Sequence, residues 1–313
     1  MSEVVLRQVS WLDVQDDELA LTEEWLVTNG LGGFSSGTLS GIATRRYHGL
    51  LVAALPAPLG RTVMLSHLQE TLMFADGEIV NLSEREVSGT RPEFNALRYL
   101  KSFQLEMGLP VWRYEIKGLV LEKRLFMPYQ QNTVHVCYRV ISATEPVRLE
   151  LRPALHYRAL EVAVDETPVA ATDYVLSVRE DFFKLTGGNF PPLYLKTHGC
   201  ESTFTIDRRR CEDIFYRLES FRGYAAVGQY WSPGAFAMTL GTTGELTLTC
   251  STEKPETLRL VSPEEAYELE VKRRFQLLSI AETPVDSGMP AELVLAADQF
   301  IVTPAGRAEE AAR

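Results

Sequence analysis

The sequence predicts a mainly β protein: a large antiparallel β-sandwich, supersandwich-like in size, followed by two C-terminal helices. Three observations carry that expectation. Between about residues 60 and 250, apolar side chains recur with period two in short runs bounded by Gly, Pro, Asn or Ser, as a half-solvated antiparallel sheet requires. Near Ser262 the period turns helical. The 313 residues, 45% hydrophobic and 23% charged, suffice for one large β core, and the composition excludes disorder and collagen-like repeats.

Taken in order, Trp112, Tyr114 and Ile116 alternate with Arg113, Glu115 and Lys117; Lys117-Gly118 makes a turn, and Leu119, Leu121 and Leu125 resume the pattern. Val134, Val136, Tyr138 and Val140 alternate with His135, Cys137 and Arg139, and Val147, Leu149 and Leu151 with Arg148, Glu150 and Arg152. Weaker runs follow around 174–178, 193–196, 204–206, 236–240 and 246–250. Ser262-Pro263-Glu264-Glu265 reads as a helix start, with Ser at the N-cap, Pro at N1 and Glu265 closing a capping box. Tyr267, Val271, Phe275 and Leu278 mark its apolar face, with Glu268/Lys272 and Glu270/Arg274 as surface i,i+4 pairs. A second helical stretch runs over 290–303, both helices pointing away from the sandwich. The expected organisation is a β-sandwich over 1–260, a helical segment over 261–305 and a flexible tail over 306–313.

With 31 Lys+Arg against 42 Asp+Glu, the net charge of −11 argues against a nucleic-acid partner. Cys137, Cys200, Cys211 and Cys250 form no C-x-x-C pair, and the five histidines show no metal-ligand spacing, so neither a metal nor a cofactor is expected. No apolar run approaches the ~18–20 residues that span a bilayer, and residues 1–25 do not read as a signal peptide. A cytoplasmic protein with reduced thiols is expected, with no membrane partner.

The most unusual stretch is Glu24-Trp25-Leu26-Val27-Thr28-Asn29-Gly30-Leu31-Gly32-Gly33-Phe34, continuing to Thr44-Arg45-Arg46-Tyr47-His48-Gly49. It lacks the G-K-[ST] of a phosphate-binding loop, with no Lys between Trp25 and Arg61, and no amphipathic helix follows the glycines as a dinucleotide fingerprint demands. The glycines by themselves serve tight turns and close packing between strands.

As a whole, EWLVTNGLGGFSSGTLSGIATRRYHGLLVAAL followed by PLGRTVMLSHLQETL resembles the N-terminal domain of prokaryotic-type glycogen debranching enzymes, the amylo-α-1,6-glucosidase lineage. Tyr216-Arg217-Leu218-Glu219 with Arg222-Gly223, Trp231-Ser232-Pro233-Gly234-Ala235-Phe236 and Ala296-Ala297-Asp298-Gln299-Phe300 extend the resemblance, whereas 140–210 matches only as a pattern of strands. The resemblance implies a β-sandwich joined by linker helices to an (α/α)6 barrel that hydrolyses α-1,6 branch linkages. It also implies that the catalytic carboxylates belong to that barrel, beyond the Phe300 helix, so no catalytic residue is carried onto this chain.

Candidate substrate-binding or barrel-docking residues are therefore Glu24, Trp25, Asn29, Arg45, Arg46, Tyr47, His48, Glu219, Arg222 and Trp231. Guanidinium and imidazole groups donate to sugar hydroxyls, and Tyr47 or Trp25 offers a face to the C–H side of a pyranose. Read as a strand, the Arg45–His48 run places Arg45 and Tyr47 on one face and Arg46 and His48 on the other. Asn29-Gly30 is first a turn signal. Trp231-Ser232-Pro233-Gly234 reads as a loop, and His135 as an ordinary strand side chain. The expected function is a non-catalytic domain that positions α-glucan, glycogen or maltooligosaccharide, and supports the barrel. The alternatives are a stand-alone mutarotase-like enzyme, using Glu24 or Glu219 with His48 or His198, and a pure domain-docking module.

Overall fold

A computed structural model describes residues 5–10, 17–90, 94–282 and 288–304. All strand pairs are antiparallel and fall into three sheets. The largest runs in the order β1 (Val5–Ser10), β8 (Leu100–Glu106), β9 (Leu109–Ile116), β10 (Leu119–Phe126), β11 (Thr133–Ser142), β19 (Gly244–Ser251), β16 (Leu193–His198), β15 (Phe182–Thr186) and β14 (Val175–Arg179). A second comprises β17 (Ser202–Phe215), β18 (Val227–Leu240), β12 (Val147–Ala154), β6 (His67–Met73) and β7 (Ile79–Asn81). The third comprises β13 (Arg158–Ala159), β5 (Arg61–Leu65), β4 (Gly49–Ala54), β3 (Phe34–Thr38) and β2 (Glu24–Thr28). One continuous core joins them: Val136 and Tyr138 of the first sheet, Leu72 and Leu149 of the second, and Leu51 and Met64 of the third. The mainly β sandwich expected from the periodicity is the fold observed.

The runs fold as their alternation dictates, with physically explained exceptions. Lys117 and Gly118, at φ 49° and 80°, form the two-residue turn between β9 and β10. In β11 the inward set Val134, Val136 and Tyr138 is buried, but so are His135 and Cys137 on the other face. The cause is the first long helix, whose Tyr267 meets Phe126 at 5.4 Å while Phe126 stacks on His135 at 4.7 Å. That strand is central rather than half-solvated. Trp231-Ser232-Pro233-Gly234 lies inside β18 and is not a loop. The register against β17 shifts between Ile206 and Arg209, which accommodates a proline without an N–H, and Gly234 is so close to the Thr205 carbonyl that a Cβ would lie 2.1 Å from it.

Short helices α1 (Asp17–Thr22), α2 (Arg217–Phe221) and α3 (Pro255–Leu258) precede the two longer ones, α4 (Pro263–Ile280) and α5 (Met289–Asp298). The capping box of α4 forms as its sequence predicts, with Ser262 Oγ accepting from Glu265 N–H and the Glu265 carboxylate accepting from Ser262 N–H. Its buried stripe, however, is Pro263, Ala266, Glu270, Arg274 and Leu278, while Phe275 is 39% exposed. The Glu270/Arg274 pair is thus interior, joined at 2.7 Å, and Arg274 also donates to the Met107 carbonyl at 3.1 Å. Arg273 binds Glu270 and reaches Asp298 of α5 at 3.0 Å. Nor do the helices point away. Gln299 donates to the Leu26 carbonyl at 3.1 Å and Thr303 N–H to the Gly30 carbonyl at 2.8 Å, so the segment returns to the Gly-rich turn. The tail expected over 306–313 lies outside the described residues.

Two outcomes follow for stability. Glu270→Ala leaves Arg274 buried without its counter-charge and should cost about 3–5 kcal/mol in urea unfolding, whereas a loss below about 1 kcal/mol would contradict an interior pair. Burial pushes the His67 and His135 rings down to about 3. The unfolded chain, with histidines near 6.5, then binds more protons than the native one as pH falls, so stability is lost progressively below about pH 6.5. The thermal midpoint should already drop between pH 7 and pH 5, and the drop should shrink in His67→Gln.

Candidate functional site

The Gly-rich stretch forms the β2–β3 hairpin, and its turn is built around Asn29. The Asn29 Oδ1 accepts from Leu31 N–H and Gly33 N–H, each at 3.0 Å. Its Nδ2 donates to the Gln131 carbonyl at 2.9 Å and to Asn132 Oδ1 at 3.1 Å. Fully buried, Asn29 has its amide committed to holding the turn. Gly30 takes φ 72° and lies against Tyr129, where a Cβ would fall 2.2 Å from the ring; at Gly33 a Cβ would approach the Val52 carbonyl to 2.9 Å. The turn reading of Asn29-Gly30 accounts for these contacts.

Residues 45–48 are a β-turn, not a strand, closed by His48 N–H donating to the Arg45 carbonyl at 3.1 Å. The face alternation read from the sequence therefore fails, because a turn returns its first and last residues to the same side. Arg45 and His48 meet at Glu24 on β2: Arg45 Nε is 2.5 Å and His48 Nε2 3.4 Å from Glu24 Oε1. Thr44 N–H donates to His48 Nδ1, which puts the ring proton on Nε2, facing Glu24. Burial opposes the charge on Glu24, but the hydrogen bonds from His48 and Arg45 outweigh it and hold the carboxyl below its usual range.

Arg46 and Tyr47 project to a second cluster. The Arg46 guanidinium lies over the rings of Tyr47 at 4.8 Å and Tyr224 at 5.2 Å, and donates to Tyr47 Oη at 2.6 Å. Tyr47 Oη in turn donates to Glu161 at 3.1 Å. Beneath them, buried Glu219 on α2 accepts from the Arg46 backbone N–H at 3.1 Å. The equally buried Arg158 donates to the carbonyls of Arg46, Leu160 and Val162, and burial pushes its guanidinium below the usual value. Leu218 N–H to the Thr44 carbonyl ties α2 to the turn, and Tyr224 N–H to the Glu219 carbonyl closes the end of α2. Above this base Phe221, Arg222, Tyr224 and Glu161 are exposed, giving an open aromatic and charged edge.

The structure thus brings together Arg46, Tyr47 and Glu219, with Arg222 exposed at the end of α2, and separately Glu24, Arg45 and His48. Trp25 belongs to neither group: it is 5% exposed, donates to the Thr38 carbonyl and packs edge-on against Trp112 at 5.5 Å, so it is core and not a stacking platform. Trp231 is buried, stacked on Tyr174 at 4.5 Å, and lines a separate cavity of about 190 Å³. Sequence reasoning missed Tyr224, one residue past the Arg222-Gly223 motif, and Arg158 and Glu161, which lie where only strand periodicity was readable. Among the described residues no His/Cys/Asp/Glu group could hold a metal ion, and no helix is long and apolar enough to cross a membrane.

Residues 23–247 match the family described as glycogen debranching enzyme N terminal. No curated protein matches the sequence. Among solved structures, a bacterial glucoamylase complexed with acarbose aligns at 7% identity and TM-score 0.39, over 85% of this chain and 34% of that one. A human-microbiome protein described as a kojibiose phosphorylase aligns at 9% identity and TM-score 0.38, over 91% and 36%. The chain spans about a third of the length of these structures.

Removing the side chain that fixes the turn tests its structural role. Asn29→Ala strands buried donors and acceptors and should cost about 3 kcal/mol in chemical unfolding, whereas a loss within about 0.5 kcal/mol would mean that the turn holds without it.

Proposed function

Because the chain belongs to the glycogen debranching enzyme N-terminal family, we propose that it is the non-catalytic accessory sandwich of such an enzyme. In this reading it positions α-glucan and buttresses a barrel that hydrolyses α-1,6 branch linkages. The sandwich occupies 1–260 and the segment 261–305 leads toward the barrel. The observation that carries the glucan half is the Arg46 edge, where the guanidinium lies over Tyr47 and exposed Tyr224, and the end of α2 carries exposed Phe221 and Arg222. Exposed rings accept the C–H face of successive glucose units, while Arg and Glu side chains exchange hydrogen bonds with their hydroxyls. An open edge suits a chain better than a single sugar.

The buttress half is supported by an apolar surface on the returning helices. Ile280, Met289, Leu293, Phe300 and Ile301 are each more than 60% exposed, the kind of surface a partner domain covers. A non-hydrolytic role is supported by how the acids are used. Glycoside hydrolysis needs two carboxyl groups flanking a sugar-sized gap, whereas Glu24 is committed to Arg45 and His48, and Glu219 to Arg46. For the same reason Glu24 and His48, in contact with each other, leave no room between them for the sugar of a mutarotase-like reaction. The unbridged cysteines suit a reducing cytoplasm.

Calorimetric titration with maltoheptaose tests this reading. Saturable binding in the millimolar range is expected, weakened about fivefold in Tyr224→Ala, which removes one ring contact worth about 1 kcal/mol. No heat at tens of millimolar, or binding indifferent to Tyr224→Ala, would overturn it.

A further inference from the structure

An open sheet has two outer strands whose unpaired N–H and C=O groups can template another chain, and folded proteins blunt them by shortness, bulges, charge or cover. Among the described residues, five of the six outer strands are blunted in this way. β7 and β13 are three and two residues long. β1 shifts register between Val5 and Arg7, and Arg7 reaches Glu292 of α5 at 3.9 Å. At β2 the Leu26 carbonyl is taken by Gln299. β17 shifts register twice and carries exposed Arg208, Arg209 and Arg210. Its far end is also covered, where Phe215 N–H donates to the Glu86 carbonyl and Ser88 N–H to the Asp213 carbonyl.

β14 is the exception. Its pairing with β15 runs unbroken from Val175 to Arg179, and Val175-Leu176-Ser177-Val178 holds no charge. Val175 and Val178 are 55% and 62% exposed. The hairpin is held at its tip, where Arg259 binds both Glu180 and Asp181. Because Glu180 and Asp181 form a two-residue turn, Arg179 and Phe182 are its hydrogen-bonded closing pair. Ladder bonds alternate, so Arg179, Ser177 and Val175 direct theirs to β15, while Val178, Leu176 and the extended Tyr174 turn N–H and C=O outward.

We propose that β14 is a self-pairing edge, on which a second copy of this chain docks by antiparallel strand addition about a two-fold axis through Leu176. Such a contact requires a patch complementary to itself, and this register meets the requirement three times over. The outward groups match, with Leu176 opposite its own copy and Tyr174 opposite Val178, for about six new backbone hydrogen bonds. Apolar meets apolar, since Val178 of the second copy is laid beside Tyr174 and Leu176. Opposite charges meet as well: exposed Asp173, one residue ahead of Tyr174, comes to exposed Arg179 of the other copy, once at each end. A shift of the register toward the hairpin tip would instead set Asp173 against Asp181 and Tyr174 against Glu180. A second copy supplies both halves of that charge pattern, which favours it over an unrelated extended segment. Two five-residue strands cover less than the ~1,200 Å² of a standard interface, so the dimer is weak, with a dissociation constant on the order of 100 μM. The contact is independent of the glucan and barrel readings.

Sedimentation velocity of the full chain from about 10 μM to about 1 mM tests the proposal, a monomer–dimer equilibrium being expected over that range. Asp173→Arg and Arg179→Asp each set like charges opposite at both ends, and each should weaken the dimer at least about tenfold. The double exchange, Asp173→Arg with Arg179→Asp, should restore it. With rising concentration the Leu176 and Val178 amides should gain protection from hydrogen exchange, while that of Ser177, already bonded to β15, stays unchanged. A chain still monomeric at about 1 mM overturns the proposal. So does a dimer indifferent to both single charge reversals, or one lost in Leu293→Lys but kept in Val178→Lys, which would put the contact on α5.

Discussion

The structure depends on the buried amide contact between Asn29 and Asn132. Asn132 Oδ1 accepts from Asn29 Nδ2 and from Ala54 N–H, and its own Nδ2 donates to the Ala54 carbonyl. Its backbone N–H donates to Glu253, and its carbonyl accepts from Thr252 N–H and Ser251 Oγ. One residue thereby ties the end of β4 and the Gly-rich turn, in the third sheet, to the facing ends of β11 and β19 in the first. Thr303 then closes on the Gly30 carbonyl, so the returning helical segment reads the position of the same turn. Buried amides can be held this way only if every donor and acceptor finds a partner, which is why the glycines, free to approach closely, surround them.

That clamp explains what the Gly-rich segment does. Its backbone is consumed by sheet junctions, and the hydrogen-bonding side chains left over lie downstream, in the turn at 45–48. There the charges sort by geometry. Glu24 neutralises Arg45 at the hairpin, while Arg46 is propped from below by buried Glu219 and flanked by tyrosines. The base is buried, with Glu219 and Arg158 beneath the turn, and the upper edge is open to solvent.

Much of this was legible in the sequence, for identifiable reasons. Period-two runs and the Lys117-Gly118 turn are local signals, and so is the Ser262 capping box, so the strands and the start of α4 were readable. What was lost depends on what covers a residue. His135 and Cys137 read as a solvated face because nothing in their own strand announces the helix laid over them. Glu270 and Arg274 have the spacing of a surface pair, yet they face inward because Arg274 caps the Met107 carbonyl. Arg45–His48 and Trp231–Gly234 were each assigned the other's conformation: the first is a turn without turn residues, the second a strand containing proline opposite a bulge. Of the candidate residues, Arg46, Tyr47 and Glu219 were brought together by the fold, whereas Trp25 and Asn29 are buried with their polar atoms bonded inside the protein.

The central claim, that the chain holds α-glucan without cleaving it, is tested most directly in one sample. An α-1,6-branched maltodextrin is incubated with the protein and followed by proton NMR for line broadening and for new reducing-end signals together. Broadened dextrin lines with no new reducing ends over a day are expected. Sharp lines throughout, or steady appearance of reducing ends, would contradict the account.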